Sequence, residues 1–343
     1  MKLLVTGGLG FIGSNFIKKL LTEHSEYEIT NVDAEFLGSN KKNLDEFEHN
    51  KKYKYVKGNI TNKKLMEELI ASSDAVVNFA AESFVDRSIS DPNSFLISNF
   101  RGAFTILDII TKQKKRMVQI STDEVFGSLE VDTANEDSRF NPSSPYAATK
   151  AAAELLINSY FVTHGTDVVI TRCTNNYGPR QFAEKLIPKT ILLANQDKKI
   201  PIYGNGTNIR DWIYVDDHCD AILSCLLNGK SGQSYNMSAN NEIDNITIVK
   251  KILQIMNKSE DLINFVEDRP GHDFRYSMSS KKIFDELQWK AKTNFEIGIK
   301  NTVDWYMDNQ QVWEDISPSI LNPTPWKNLD SNIFKSTPWK VSN

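Results

Sequence analysis

Apolar runs recur through the first 172 residues: "KLLVTG", "EITNVD", "YKYVKG", "DAVVNFAA", "MVQIST" and "DVVITR". Between them lie amphipathic stretches. A short, continuous, Val- and Ile-rich run suits a strand covered on both faces, and the intervening pattern suits a helix with one apolar face. Their alternation predicts an α/β fold, a doubly wound parallel sheet with helices on both sides. Beyond residue 175 the rhythm loosens into helices such as "EKLIPKTILLANQ" mixed with the short strands "KKIPIYG", "SYNMS" and "INFVED". A smaller α+β lobe is expected there. The expected division is 1–175 for the sheet domain, 176–315 for a discontinuous second lobe and 316–343 for a C-terminal extension.

Charge and composition change this picture little. The dense run "NKKNLDEFEHNKKYK" reads as a solvated loop between the second and third strands, and "KQKKR" as the cationic end of a helix. In the tail "TPWK" occurs at 324–327 and again at 337–340, too short a repeat for a solenoid. A chain of 343 residues, 40% hydrophobic and 24% charged, is an ordinary globular protein. Its net charge of −4 argues against nucleic acid as the main partner. No stretch approaches the ~20 apolar residues of a membrane span, so no membrane partner is expected. Cys173, Cys219 and Cys225 show neither CxxC nor metal-ligand spacing, which predicts no metal site and a cytoplasmic location.

Chemistry enters at "VTGGLGFIGS", which follows the first strand and opens a helix. Glycines there allow the tight turn and the close approach of backbone to a pyrophosphate at the helix N-terminus. Asp33 ends the second strand twenty residues after Gly13, where a carboxylate accepts ribose hydroxyls and repels a 2'-phosphate. The sheet is therefore expected to be Rossmann-like and to bind NAD. "PYAATK" sets Tyr146 and Lys150 on one helical face, where an ammonium would lower the phenol toward working pH. "ISTDEVFG" adds Thr122 and two adjacent carboxyls, Asp123 and Glu124.

These motifs, with "FAAESFVDRS", "RCTNNYGPRQ", "EKLIP", "RDWIYVDDH" and "DRPGHDFRY", resemble the extended short-chain dehydrogenase/reductase family, and within it the nucleotide-sugar 4,6-dehydratases of the dTDP-glucose type. The resemblance reaches about residue 310. It implies that Tyr146, helped by Thr122, takes the C4 hydroxyl proton as NAD accepts the C4 hydride. Glu124 then removes the C5 proton while protonated Asp123 donates to the departing C6 hydroxyl. One carboxyl must be charged and its neighbour neutral at the same moment, and like-charge proximity drives such a pair apart in pKa.

The resemblance also implies a cofactor set of Gly7, Gly10, Phe11, Ile12, Gly13, Asp33, Asn59, Ile60, Ala80, Ala81, Asn99, Tyr146, Lys150 and Asn176. For the nucleoside-diphosphate-hexose it implies Ser83, Thr122, Asn175, Lys185, Leu186, Pro201, Tyr203, Arg210, Asn245, Arg269 and His272, with Arg210 gripping the diphosphate. Two positions depart from the pattern. Asn59 stands where aspartate is usual, its amide oxygen still an acceptor for adenine, and Phe84 stands where histidine is common. Two helices, "NSFLISNFRGAFTILDII" and the one from Tyr146, correspond to those that pair in family homodimers. The expected activity is NAD-dependent conversion of dTDP-glucose to its 4-keto-6-deoxy product. An NDP-sugar 4-epimerase and a non-catalytic dinucleotide-binding scaffold are the alternatives.

Overall fold

The computed structural model describes residues 1–24, 26–313 and 316–327. Its strands in chain order are β1 (Lys2–Thr6), β2 (Glu28–Asp33), β3 (Tyr53–Lys57), β4 (Ala75–Asn78), β5 (Arg116–Thr122), β6 (Val168–Cys173), β7 (Asn175–Tyr177), β8 (Ile200–Tyr203), β9 (Ile209–Tyr214), β10 (Ser234–Met237), β11 (Glu242–Asp244) and β12 (Ile263–Val266). The α-helices are α1 (Phe11–Glu23), α2 (Lys63–Ala71), α3 (Val85–Ser90), α4 (Pro92–Phe95), α5 (Ala103–Gln113), α6 (Pro145–His164), α7 (Leu186–Asn195), α8 (Val215–Asn228), α9 (Asn245–Ile255), α10 (Lys281–Leu287) and α11 (Phe295–Asp308).

Seven strands in the order β10-β6-β5-β4-β1-β2-β3 form a wholly parallel, Rossmann-like sheet. Successive side chains of a strand point to opposite faces, and two cores follow from that alternation. Leu3, Val5, Val77 and Val118 pack with Phe16 and Leu20 of α1 and Ile222 of α8. Leu4, Val76 and Met117 pack with Met66 of α2, Ile106 and Ile110 of α5, and Ile157 of α6. The lobe holds β11-β9-β7 and β12-β8, backed by Ile187 and Ile191 of α7, Ile252 of α9 and Ile299 of α11.

Three expectations change. "SYNMS", expected in the lobe, is β10 and extends the main sheet beside β6. The charge-dense loop folds over Lys41–Phe47 as a 3-10 helix whose Leu44 and Phe47 are buried in the α1-side core, so only its charged residues are solvated. "NSFLISNFRGAFTILDII" is not one regular helix: a π-helical segment, Leu96–Gly102, joins α4 to α5. That widening carries Asn99 inward, where its side chain accepts from the Glu82 N–H and donates to the Glu82 carbonyl. "KQKKR" behaves as expected, with Lys114 in the left-handed conformation closing α5.

The strand ends that face the site carry a buried polar chain. Thr6 donates to Asn78, and Asn78 to Gln119. Each group is satisfied, so the ladder holds the ends of β1, β4 and β5 in register without an unpaired polar atom among them.

Candidate active site

Two cavities of about 280 and 170 Å³ open at the carboxyl ends of the strands and in the lobe. The larger is a dinucleotide cleft in shape and chemistry. Gly7 has φ +70°, and a Cβ there would lie 2.7 Å from the Ala80 backbone. A Cβ on Gly13 would meet the Gly7 carbonyl at 2.6 Å, so the turn and the first turn of α1 close against each other only as glycines. Phe11, Ile12, Gly10, Ile60, Ala80 and Ala81 line the same cleft.

Asp33 lies in its wall. The Leu9 N–H donates to one carboxylate oxygen at 3.0 Å, and the Glu35 N–H and Ser39 hydroxyl donate to the other at 2.8 Å each. One acceptor position on the first oxygen remains, room for a single ribose hydroxyl rather than two. Asn59 also lines the cleft, but its amide oxygen accepts from both the N–H and the hydroxyl of Thr61. Only its amide N–H groups are left to face a base. Asn99 does not line the cavity; it fixes the Ala81–Glu82 backbone that does. Asn176 lines it with both amide atoms engaged, by His218 and by the Thr174 carbonyl.

The chemistry-bearing residues converge where β5 ends. Thr122 caps a 3-10 turn over Asp123–Phe126, donating to Asp123 at 3.1 Å and accepting from the Glu124 N–H at 3.3 Å. Tyr146 and Lys150 reach the same place from α6. Burial pushes the Asp123 carboxyl well above the usual range, and the charge of Glu124 pushes it further. Glu124 is also raised by burial, but Arg269, Lys185 and Arg210 all act to hold it charged. Burial thus favours the neutral form of Asp123 most strongly, while three cations around Glu124 favour its charged form. Asp123 Oδ2 and Glu124 Oε2 are both buried without a hydrogen-bond partner, which marks them as groups built to meet a ligand.

Lys150 has a backbone partner of its own beside Tyr146. Its ammonium donates to the Ile120 carbonyl at 2.6 Å and is pushed down to about 8 by burial, against the opposing charge of Glu154. Burial and the charge of Glu124 raise the Tyr146 phenol well above its ordinary value, with a hydrogen bond to Thr122 opposing. Burial is the largest cause of both shifts.

The second cavity is lined by Leu186, Pro201, Tyr203, Asn245, His272, Arg210 and Arg269, and it shares Glu124, Asn175, Lys185 and Phe84 with the first. Ser83 lies on the first-cavity side. Arg210 is buried over the Tyr276 ring at 4.2 Å. It donates to the Ile209, Asp273 and Phe274 carbonyls, which uses three of its five donors. Asp211 is not its partner, being taken up by Ser238 and three backbone N–H groups from Ala239 to Asn241. Arg269 binds Asp86 at 2.8 Å and leaves a buried Nε–H unpaired. Lys185 is no solvated helix residue: it sits 5.0 Å above the Phe84 ring and donates to the Ser83 carbonyl. Phe84 thereby stands as a buried apolar floor under a cation. His272 pairs with Asp268 and is pushed down to about 4, burial and Arg269 outweighing that carboxylate. Asp86, Lys189, Trp212 and Tyr276 also line this cavity. Sequence reasoning missed them; the one available signal was the unexplained "DR" of "SFVDRS", whose Asp86 and Arg87 serve different partners.

A model of the GDP-mannose 4,6 dehydratase family matches residues 4–302. The chain belongs to that family. Among relatives of this dehydratase, the dTDP-glucose 4,6-dehydratase of Mycobacterium tuberculosis H37Rv is 42% identical over 320 residues, covering 92% of this chain and 96% of the relative. The dTDP-glucose 4,6-dehydratase of Bacillus anthracis, solved in complex with NAD, is 41% identical with a TM-score of 0.85 and covers 91% of this chain and 98% of its own. DesIV, the Streptomyces venezuelae dTDP-glucose 4,6-dehydratase solved with NAD bound, is 38% identical with a TM-score of 0.89, at 92% and 99% coverage. The expected short-chain dehydrogenase/reductase fold and dehydratase kinship both hold.

Proposed function

We propose that this dehydratase-family chain converts dTDP-glucose to the dTDP-4-keto-6-deoxy sugar by oxidation at C4, elimination of water across C5 and C6, and reduction at C6. The observation that carries the reading is the acid pair where the two cavities meet: Asp123 Oδ2 and Glu124 Oε2 are buried without a hydrogen-bond partner, Asp123 raised by burial and Glu124 faced by Arg269, Lys185 and Arg210. NAD, when bound in the larger cavity, accepts the hydride from C4 and donates one at C6. Tyr146 with Thr122 takes the C4 hydroxyl proton. Because burial, and after it the charge of Glu124, raises the Tyr146 phenol, oxidation is expected to quicken as pH rises. Glu124 withdraws the C5 proton, acidified by the neighbouring ketone, and Asp123 gives its proton to the leaving C6 hydroxyl, which departs as water; as C6 takes back the hydride, Glu124 returns its proton to C5. Arg210 and Arg269 take the diphosphate, Arg269 through the Nε–H that has no protein partner. An epimerase would have no use for a neutral acid beside a carboxylate.

In this reading the sheet domain of residues 1–175, with β10 added to its sheet, supplies most of the larger cavity, and the lobe most of the second, each lending residues to the other. The working form is a homodimer. Leu96, Phe104, Leu155 and Val162 are 50, 40, 61 and 80% exposed on the two helical segments expected to pair, an apolar face suited to a second copy of itself. No helix among the described residues is long and apolar enough to cross a membrane, and the three cysteines are buried and unpaired. A reducing cytoplasm suits them. The test is a panel of dTDP-, UDP-, CDP- and GDP-glucose, followed by the alkaline ultraviolet absorbance of the 4-keto-6-deoxy product. A 4-epimer as the sole product would refute the assignment.

A further inference from the structure

The repeated "TPWK" of the tail plays no part in the chemistry above, yet its first copy touches a residue that lines the second cavity. The Trp326 ring meets Tyr203 edge-on, centroids 4.8 Å apart at 88°. Tyr203 closes the end of β8 and lines that cavity, with His272 at 6.2 Å as its other aromatic neighbour. Its hydroxyl donates to Asp86 Oδ2 at 2.9 Å, and Asp86 Oδ1 receives Arg269 at 2.8 Å. Trp326 therefore stands at the head of a chain that ends on a candidate diphosphate ligand. The same segment is tied down at three further points. Lys189 donates to the Asn322 carbonyl at 3.2 Å, Leu321 packs against the core that holds Ile200 and Ile202 of β8, and Lys327 pairs with Glu267 in the loop that carries Arg269. β8 and β12 pair with Tyr203 opposite Val266, and the tail's contacts fall on β8, which supplies Pro201, Ile202 and Tyr203 to the cavity, and on the loop after β12, which supplies Arg269 and His272.

We infer that residues 321–327 form a strap over the second cavity, and that Trp326 is a positioning residue for the nucleoside diphosphate, acting through Tyr203 and the Asp86–Arg269 pair. This rests on the reading of that cavity as the nucleotide-sugar subsite. Trp326 touches no reacting atom, so it sets binding rather than the chemical step. An edge-to-face aromatic contact is worth about 0.5 to 1.5 kcal/mol, which becomes about a two- to tenfold loss of affinity when the ring is removed.

The experiment uses the full chain loaded with NAD. Wild type is titrated calorimetrically with dTDP, UDP, CDP and GDP, and the tightest of these becomes the probe for Trp326→Ala, Trp326→Leu and Trp326→Phe. Turnover is measured with the matching nucleotide-glucose. Trp326→Ala and Trp326→Leu should weaken the probe and raise KM about two- to tenfold with kcat within about twofold of wild type. Trp326→Phe, which restores a ring edge, should recover most of the affinity. Should the alanine variant not fold, the leucine and phenylalanine variants decide the matter between them. Unchanged probe binding in the leucine variant, or a fall in kcat at constant KM, overturns the strap. If wild type itself binds none of the four nucleotides, the subsite reading fails, and the strap with it.

Discussion

The acid pair makes the sharpest quantitative demand. Asp123→Asn and Glu124→Gln change charge and proton content with little change in volume, so each tests one role. If Asp123 is the proton donor, its amide cannot protonate the leaving hydroxyl, and if Glu124 is the base, its amide cannot accept the C5 proton. Loss of one general acid or base costs about 100- to 10,000-fold in rate, equivalent to about 2.7 to 5.4 kcal/mol of barrier. Product measured by its alkaline absorbance should fall by that factor in both variants. Nicotinamide reduction, followed in the near ultraviolet after mixing with dTDP-glucose, should survive in both. In Glu124→Gln it should be no slower than wild type, because the charge that raises Tyr146 is gone. Tyr146→Phe is the control and should show neither reduction nor product.

Stability gives a second, independent readout of the same claim. A carboxyl whose folded pKa lies above its unfolded value binds more protons in the native state, so its penalty is absent below the unfolded value near ~3.9 and grows as pH rises through the folded one. Asp123 is such a group, its carboxyl raised by burial and by Glu124. Asp123→Asn should therefore unfold at a higher temperature than wild type near neutrality, and the advantage should vanish by about pH 4. A variant that is both more stable and hundreds of times slower marks a strained functional group. Near-wild-type product formation in both acid variants would refute the division of labour, and a less stable Asp123→Asn at neutral pH would refute the neutral-acid argument.

Asp33→Ala should weaken NAD by about ten- to a hundredfold in equilibrium dialysis, the loss of one charge-assisted bond of about 1.5 to 3 kcal/mol; undiminished binding would remove the ribose role. Leu155→Glu, at a position 61% exposed on α6, should yield monomers by sedimentation velocity while leaving the unfolding midpoint near wild type; an unchanged assembly would place the dimer contact elsewhere. Glu82 is raised to about 7 by burial against the opposing charge of Arg87, so its penalty grows from about pH 4 to 7. Glu82→Gln should raise the thermal midpoint at pH 8 but not at pH 4, and equal midpoints at both would contradict the burial argument.

The parts legible in the sequence are those whose physics is local. Val76, Val77 and Val118 read as doubly covered strands because a parallel strand is apolar on both faces. Gly7 and Gly13 read as a phosphate turn because no side chain fits there. "STDEVFG" was legible as chemistry only through the family resemblance and the motifs beside it, since an adjacent Asp-Glu pair alone reads as a solvated loop. What was not legible depends on partners distant in the chain. Asp86 and Arg269 are 183 residues apart, and no periodicity announces that they meet. β10 joins β6 across an intervening lobe. Asn59 was expected to offer its oxygen to a base, but a neighbour only two residues away, Thr61, takes it first. That competition is local, yet it depends on a turn geometry that residue type alone does not set.

A site with a buried acid pair, a phenol raised by burial and a lysine lowered by it is costly to fold, and its geometry must be imposed from outside. The ion pairs behind it supply that constraint. Arg172 of β6 binds both oxygens of Glu154 on α6, and Glu154 is 0% exposed. The same carboxylate accepts the hydroxyl of Ser121, the residue before Thr122. Strand, helix and the segment leading into the Asp123–Phe126 turn therefore share one anchor. On the substrate side Arg87 grips Glu184 bidentately, fixing α3 to the residue preceding Lys185. A buried pair contributes little net stability against apolar replacements, but losing one partner costs about 3 to 5 kcal/mol because the other is stranded. Such pairs resist displacement more than they add stability. They fix the chain next to Thr122 and next to Lys185, on either hand of a carboxyl, Glu124, that lines both cavities.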